Sequence, residues 1–170
     1  MGLFRRLTGT RHPETAVAPL SAVELRTALL ALNGPDVPYR VRNALPKEKA
    51  DLVAERRILE PATGSSFSRK QVERTIRTRM RLVPEKHEVR TLDEQWEVTR
   101  IGDPPRLTAS RTYGRGPATT VHREWTYERG ADGRRHKVET FRFDSRDMKN
   151  PLRNAVLGAG WTWRGVLFKW

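Results

Sequence analysis

Cysteine is absent from all 170 residues, which excludes a disulfide framework and thiolate metal sites and fits a reducing compartment. Long apolar runs are missing too: no window approaches the roughly 20 residues that a membrane-spanning helix needs. Near the N-terminus Arg5-Arg6 is accompanied only by Leu3, Phe4 and Leu7 as bulky apolar side chains, too little for a secretory signal core. Gly2 follows the initiator, but Arg6 stands where a myristoylation signal places Ser or Thr. These absences lead to the expectation of a cytoplasmic protein that does not span a membrane. With no linker or internal repeat, a chain of this length is expected to fold as one domain, burying about two thirds of its unfolded surface.

Catalytic signatures are equally scarce. His12, His87, His122 and His136 show no paired metal-ligand spacing. Gly64-Ser65-Ser66 and Ala109-Ser110-Arg111 lack the pattern of a nucleophile elbow. Gly114, Gly116, Gly158, Gly160 and Gly165 do not build a phosphate-cradling loop between a strand and a helix. Asp93 and Glu94 are neighbours on a strand, so they point to opposite faces and are poorly placed for shared acid and base work. The expectation is no catalytic residue, no metal, no cofactor and no enzymatic activity.

What the chain has in excess is positive charge. Against 20 Asp+Glu stand 33 Lys+Arg, a formal net charge of +13 with a pI near 11.1, enough to hold polyanions near the surface. Arginine-rich codon usage in a GC-rich genome accounts for the same excess without any function.

Periodicity supplies the elements. Residues 1–19 have no period and read as a flexible basic tail, with 20–170 as the folded domain. Ser21 and Glu24 form a capping-box pattern, and Leu25, Ala28, Leu29 and Leu32 share a helical face. Asn33-Gly34-Pro35 offers a left-handed stop, so a helix is predicted over 21–32. Strands are expected over 37–43 and 51–59, about a turn at Leu45-Pro46-Lys47, and a short helical turn from Ser66 through Gln71. From 72 to 82, Val72, Ile76, Met80 and Leu82 alternate with Glu73, Arg77, Arg79 and Arg81, the signature of a strand.

Pro84 to His87 then reverses the chain into a partner strand bearing Leu92, Trp96 and Val98. Keeping all of these apolar residues on one face requires a β-bulge near 89–91, which sets Met80 opposite Leu92, Ile76 opposite Trp96 and Arg79 opposite Asp93. Further strands are predicted over 107–113, 121–128 and 138–143, with a reversal at Asp132-Gly133. Asn150 is expected to cap a helix over 151–159 with Pro151 first and Leu152, Ala155, Val156 and Ala159 inward. Gly160 ends it, and 161–168 returns as a strand aligning Trp161, Trp163 and Leu167. The sum is an α+β protein: a mainly antiparallel curved sheet or partly closed barrel of about eight strands, with an N-terminal helix and a helix near the C-terminus.

The stretches 21–38 (SAVELRTALLALNGPDVP), 51–58 (DLVAERRI), 80–96 (MRLVPEKHEVRTLDEQW) and 160–168 (GWTWRGVLF) resemble a family of small uncharacterised proteins from high-GC Gram-positive bacteria. The resemblance spans about residues 20–168 and implies no activity, fold or ligand. Against the family pattern this chain has Arg56 where a tryptophan is usual and Thr63-Gly64 in place of an aromatic pair. A pocket lined by those aromatics would therefore be altered here.

Arg77, Arg79 and Arg81, at alternate strand positions, form a row of guanidinium groups about 6.5 to 7 Å apart, near the phosphate repeat of an extended nucleic acid. Arg5 and Arg6 add charge from the tail. The plainer reading is that Glu73, Asp93 and Glu97 neutralise the row across the hairpin. Trp96, Trp125, Trp161 and Trp163 are read as packing. Trp170, with no later element to cover it, is a candidate partner contact. The leading expectation is a non-enzymatic cytoplasmic binding or interaction domain for a protein partner or small ligand. Electrostatic nucleic-acid binding through the tail and the strand arginines is the alternative.

Overall fold

The computed structural model describes residues 9–65, 69–102, 106–115 and 121–167. Helix α1, Ala22–Leu30, begins where the sequence directs. Ser21 Oγ accepts from the Glu24 N–H, and the Glu24 carboxylate accepts from the Ser21 N–H at 2.8 Å, so two otherwise orphaned donors are satisfied reciprocally. The expected left-handed stop is not used, because Asn33 does not adopt a positive φ. It closes the helix with its side chain instead: Nδ2 donates to Leu30 O at 2.9 Å and to Val41 O at 2.8 Å, and Oδ1 accepts from the Val41 N–H at 2.8 Å.

Eight strands are found among the described residues: β1 Arg40–Asn43, β2 Leu52–Leu59, β3 Lys70–Val83, β4 Glu88–Ile101, β5 Arg106–Arg115, β6 Val121–Arg129, β7 Arg135–Asp144 and β8 Thr162–Gly165. β1 to β5 lie in sequence order in one antiparallel sheet, and β8 joins it parallel to β4. The free edge of β4 is shared, with β8 on residues 88–91 and β5 on 94–101. The α+β class and the mainly antiparallel sheet are those expected, but the barrel is not. β1 and β5 stand at opposite ends of the strand order, and β6 and β7 form a two-stranded sheet of their own.

The β3–β4 hairpin corrects the expected register. Pairing runs unbroken from Val83↔Glu88 to Lys70↔Ile101, placing Arg79 opposite Leu92, Arg77 opposite Glu94 and Ile76 opposite Gln95. No bulge occurs at 89–91. A bulge is needed only if one face takes every apolar residue, and here both faces are partly buried. Leu52, Met80 and Val89 lie on one face, whereas Val53 and Leu92 lie on the other, all five fully buried. Arg79 stands between Val53 and Leu92 in the register and is itself buried, its guanidinium bonded to Glu48 O at 2.7 Å and to Glu94 at 2.6 Å. Two of its three guanidinium nitrogens are paired, one of them to a carboxylate, while Nε is buried without a hydrogen-bond partner among the described residues; charge-assisted bonds of this kind let the arginine break the simple alternation without shifting the strand. The expected helical turn at 66–71 falls partly on residues 66–68, outside the described residues, and Lys70-Gln71 are already strand.

Helix α2, Arg146–Gly158, starts five residues before the expected 151, and Pro151 lies in its interior rather than at its first position. Asp144 ties down the first turn in place of Asn150, accepting from the Arg146 N–H at 2.9 Å and pairing with its guanidinium at 2.6 Å. Pro151 removes one intrahelical bond, while buried Met148, Leu152 and Val156 hold the helix to the core. Gly160, at φ +75°, ends it as expected: Gly160 N–H reaches Leu157 O and Trp161 N–H reaches Val156 O, the two bonds of a Schellman stop. The final strand is shorter than 161–168; Trp161 and Trp163 are fully buried, whereas Leu167 is exposed.

α1 and α2 cover the same face of the main sheet, where Leu25, Leu29, Leu52, Met80, Leu152 and Trp163 share one core. Part of the segment read as a flexible tail is fastened there too. Arg11 exchanges backbone bonds with Trp163 at 2.8 and 2.9 Å, Leu20 N–H donates to Ala159 O, and Trp161 Nε1 donates to Leu20 O at 2.7 Å.

Candidate functional site: the charged face of the sheet

Directly opposed residues of neighbouring strands share a face, so the register alone composes the surface turned away from the helices. One level reads Arg40, Glu55, Arg77 and Glu94 across β1 to β4. Charge thus alternates in sign at each step. The next level reads Arg42, Val53, Arg79 and Leu92.

The sequence row Arg77, Arg79 and Arg81 lies on this face, but its members differ in state. Arg77 binds Glu55 Oε2 through Nε at 2.8 Å and Nη2 at 2.6 Å, lies 3.7 Å from Glu48, and rests its guanidinium 4.7 Å from the centroid of the Trp96 ring. Arg79 is buried against Glu94. Arg81 is exposed and makes no ion pair among the described residues. The row is therefore partly neutralised, though not by the carboxylates the sequence suggests. Glu73 binds Arg57 and Arg100, Glu97 binds Arg74, and Asp93 points to the helix side, where it takes the Lys149 ammonium and the Thr78 hydroxyl. Arg5, Arg6 and Trp170 lie outside the described residues.

Between β1 and β4 this face holds a depression of about 420 Å³ lined by Arg42, Lys47, Glu48, Arg77, Glu94 and Trp96, among others. A second, of about 380 Å³, shares Arg42 and adds Tyr39, Arg40 and Arg57. Glu48 anchors the first. It ends the 3₁₀ turn Pro46–Glu48 and is only 7 % exposed. Its carboxylate takes both Arg42 Nη groups, at 2.7 and 2.8 Å, and the Leu45 N–H at 2.7 Å. The Arg42 hydrogen bonds chiefly, with the Leu45 amide and the charges of Arg42 and Arg77, outweigh burial and hold its pKa down to about 2. Arg42 is raised in return.

Glu48 is the site residue that periodicity misses, because it sits in a loop. The available signal is local: a Glu three residues after Leu45, able to reach back to that residue's amide, is half of a capping box. Among the described residues no group of three His, Asp or Glu is arranged to hold a metal ion, and no helix is long and apolar enough to cross a membrane. The architecture and this face define an α+β protein with an ion-paired sheet surface. No protein-family profile, curated protein or solved structure matches the chain.

Proposed function

We propose that this protein is a non-enzymatic cytoplasmic binding module whose depression beside Trp96 takes a small ligand carrying an anionic group. The observation that carries this reading is the lining: Arg42, Lys47, Arg77 and Arg79 stand against two carboxylates, Glu48 and Glu94. The guanidinium planes are fixed in advance by their bonds to Glu48, Glu55 and Glu94, so little ordering remains to oppose binding. The volume falls in the range of small-molecule sites, roughly 300 to 1,000 Å³. A Glu48 carboxyl held at about 2 is far from the near-neutral value of an effective general acid or base, which favours binding over catalysis.

A thermal-shift screen of the full chain against small carboxylates and organic phosphates tests the reading. At least one compound is expected to raise the melting temperature, and Lys47→Glu, an exposed position, is expected to abolish that shift. The reading fails if no compound shifts the wild-type protein, or if Lys47→Glu responds as the wild type does.

A further inference from the structure

A second set of arginines lies on the same face, at the end of the sheet beyond the depression. Arg81 on β3 stands opposite Arg90 on β4, and Arg90 stands opposite Arg164 on β8. Sequence spacing alone does not join them. It is the parallel docking of β8 that brings Arg164 alongside Arg90. Neighbouring strands lie about 4.8 Å apart, so the three positions form a line of about 10 Å running across the strands.

This row differs from the alternating level at Arg77. Like charges directly opposed across strands destabilise a sheet, yet here two such pairs occur in succession. A single carboxylate serves them: buried Glu88 binds Arg90 Nε at 2.8 Å and Arg164 Nη1 at 3.3 Å. Burial pushes the Glu88 carboxyl up, but these two arginines more than offset it and leave it below its ordinary value. Glu88 is thus an anion that orients two guanidinium groups, and Arg81 remains exposed beside them. Among the described residues three cations stand against one carboxylate here, which leaves a local excess on an accessible surface.

We infer that Arg81, Arg90 and Arg164 form a contact site for the phosphate backbone of single-stranded nucleic acid, separate from the depression and independent of the ligand proposed for it. Arginine matches phosphate oxygens with a planar fork of donors. A line of charges fits the successive phosphates of an extended strand. A carboxylate from an acidic protein would repeat the charge and geometry that Glu88 already supplies.

The test is fluorescence anisotropy with a labelled oligodeoxythymidylate across a salt series, using the full chain. The wild type is expected to bind with a steep salt dependence. The triple variant Arg81→Gln, Arg90→Gln, Arg164→Gln is expected to lower the slope of log K against log salt by about 2, from roughly 0.7 for each lost single-strand contact. Arg81→Gln alone removes no ion pair among the described residues, so it keeps the test valid if the triple variant folds poorly, and it is expected to lower the slope by about 0.7. The charge-matched control Arg129→Gln, Arg134→Gln, Arg135→Gln alters the exposed β6–β7 turn and is expected to retain most of the binding. Absence of wild-type binding, equal losses in the control and the row variants, or equally tight binding of polyglutamate would each overturn the inference.

Discussion

Replacing Glu48 by Gln keeps the shape of the side chain and an acceptor for the Leu45 amide, but removes the charge that Arg42 and Arg77 surround. The ordinary carboxyl value is 4.5 and the folded one about 2, a difference of about 2.5 units at about 1.4 kcal/mol each. Glu48 should therefore contribute up to about 3 kcal/mol at pH 7, less whatever part-exposed Arg42 yields to water. Because the folded value is depressed, this stabilisation is fully present above the unfolded value of 4.5 and fades as pH falls toward 2. By linkage about 1.4 kcal/mol remains at pH 3. Urea denaturation of the wild type and Glu48→Gln at pH 7 and pH 3 measures both gaps. A gap that stays constant between those pH values would show that the substitution acts through packing rather than charge, and would refute the electrostatic account of this loop.

Two other substitutions probe the fold. At Gly160 the backbone has φ +75°, and an added Cβ would stand 2.7 Å from Pro19 Cα; Gly160→Ala is expected to cost about 2 kcal/mol or more in chemical denaturation, since the left-handed conformation alone accounts for roughly 1 to 2. Asn33→Ala removes the carboxamide that closes the outer edge of β1, with an expected loss of about 1 to 3 kcal/mol. Sedimentation velocity should also reveal concentration-dependent self-association through the bared edge; a variant as stable and as monomeric as the wild type would contradict the role given to Asn33.

Much of the fold is written locally. The Ser21–Glu24 box, the period-two rhythm of 72–82, the Gly133 reversal and the Gly160 stop each depend on a few adjacent residues, and each is found at its place. The errors have a common origin in contacts between distant segments. The alternation of β3 is that of a strand with one wet face, but Glu48 and Glu94 make room for buried Arg79 on that face. The start of α2 is fixed by Asp144 rather than by Asn150, because a carboxylate bonded to both the amide and guanidinium of Arg146 outweighs the preference of Pro151 for a first turn. At the site, the arginine row was legible as a row on one face. Which of its members remain available was not, since that follows from carboxylates on β2, on β4 and in the 45–48 loop.

The shared edge of β4 bears on how the chain emerges from the ribosome. Residues 88–91 are made some seventy residues before 162–165, the segment that pairs with them, and until then this stretch of backbone is a bare hydrogen-bonding template. Glu88 and Arg90 occupy that waiting stretch, where charged side chains deter capture by another nascent copy. The same residues that later meet Arg164 thus serve first as sentries over an unfinished sheet.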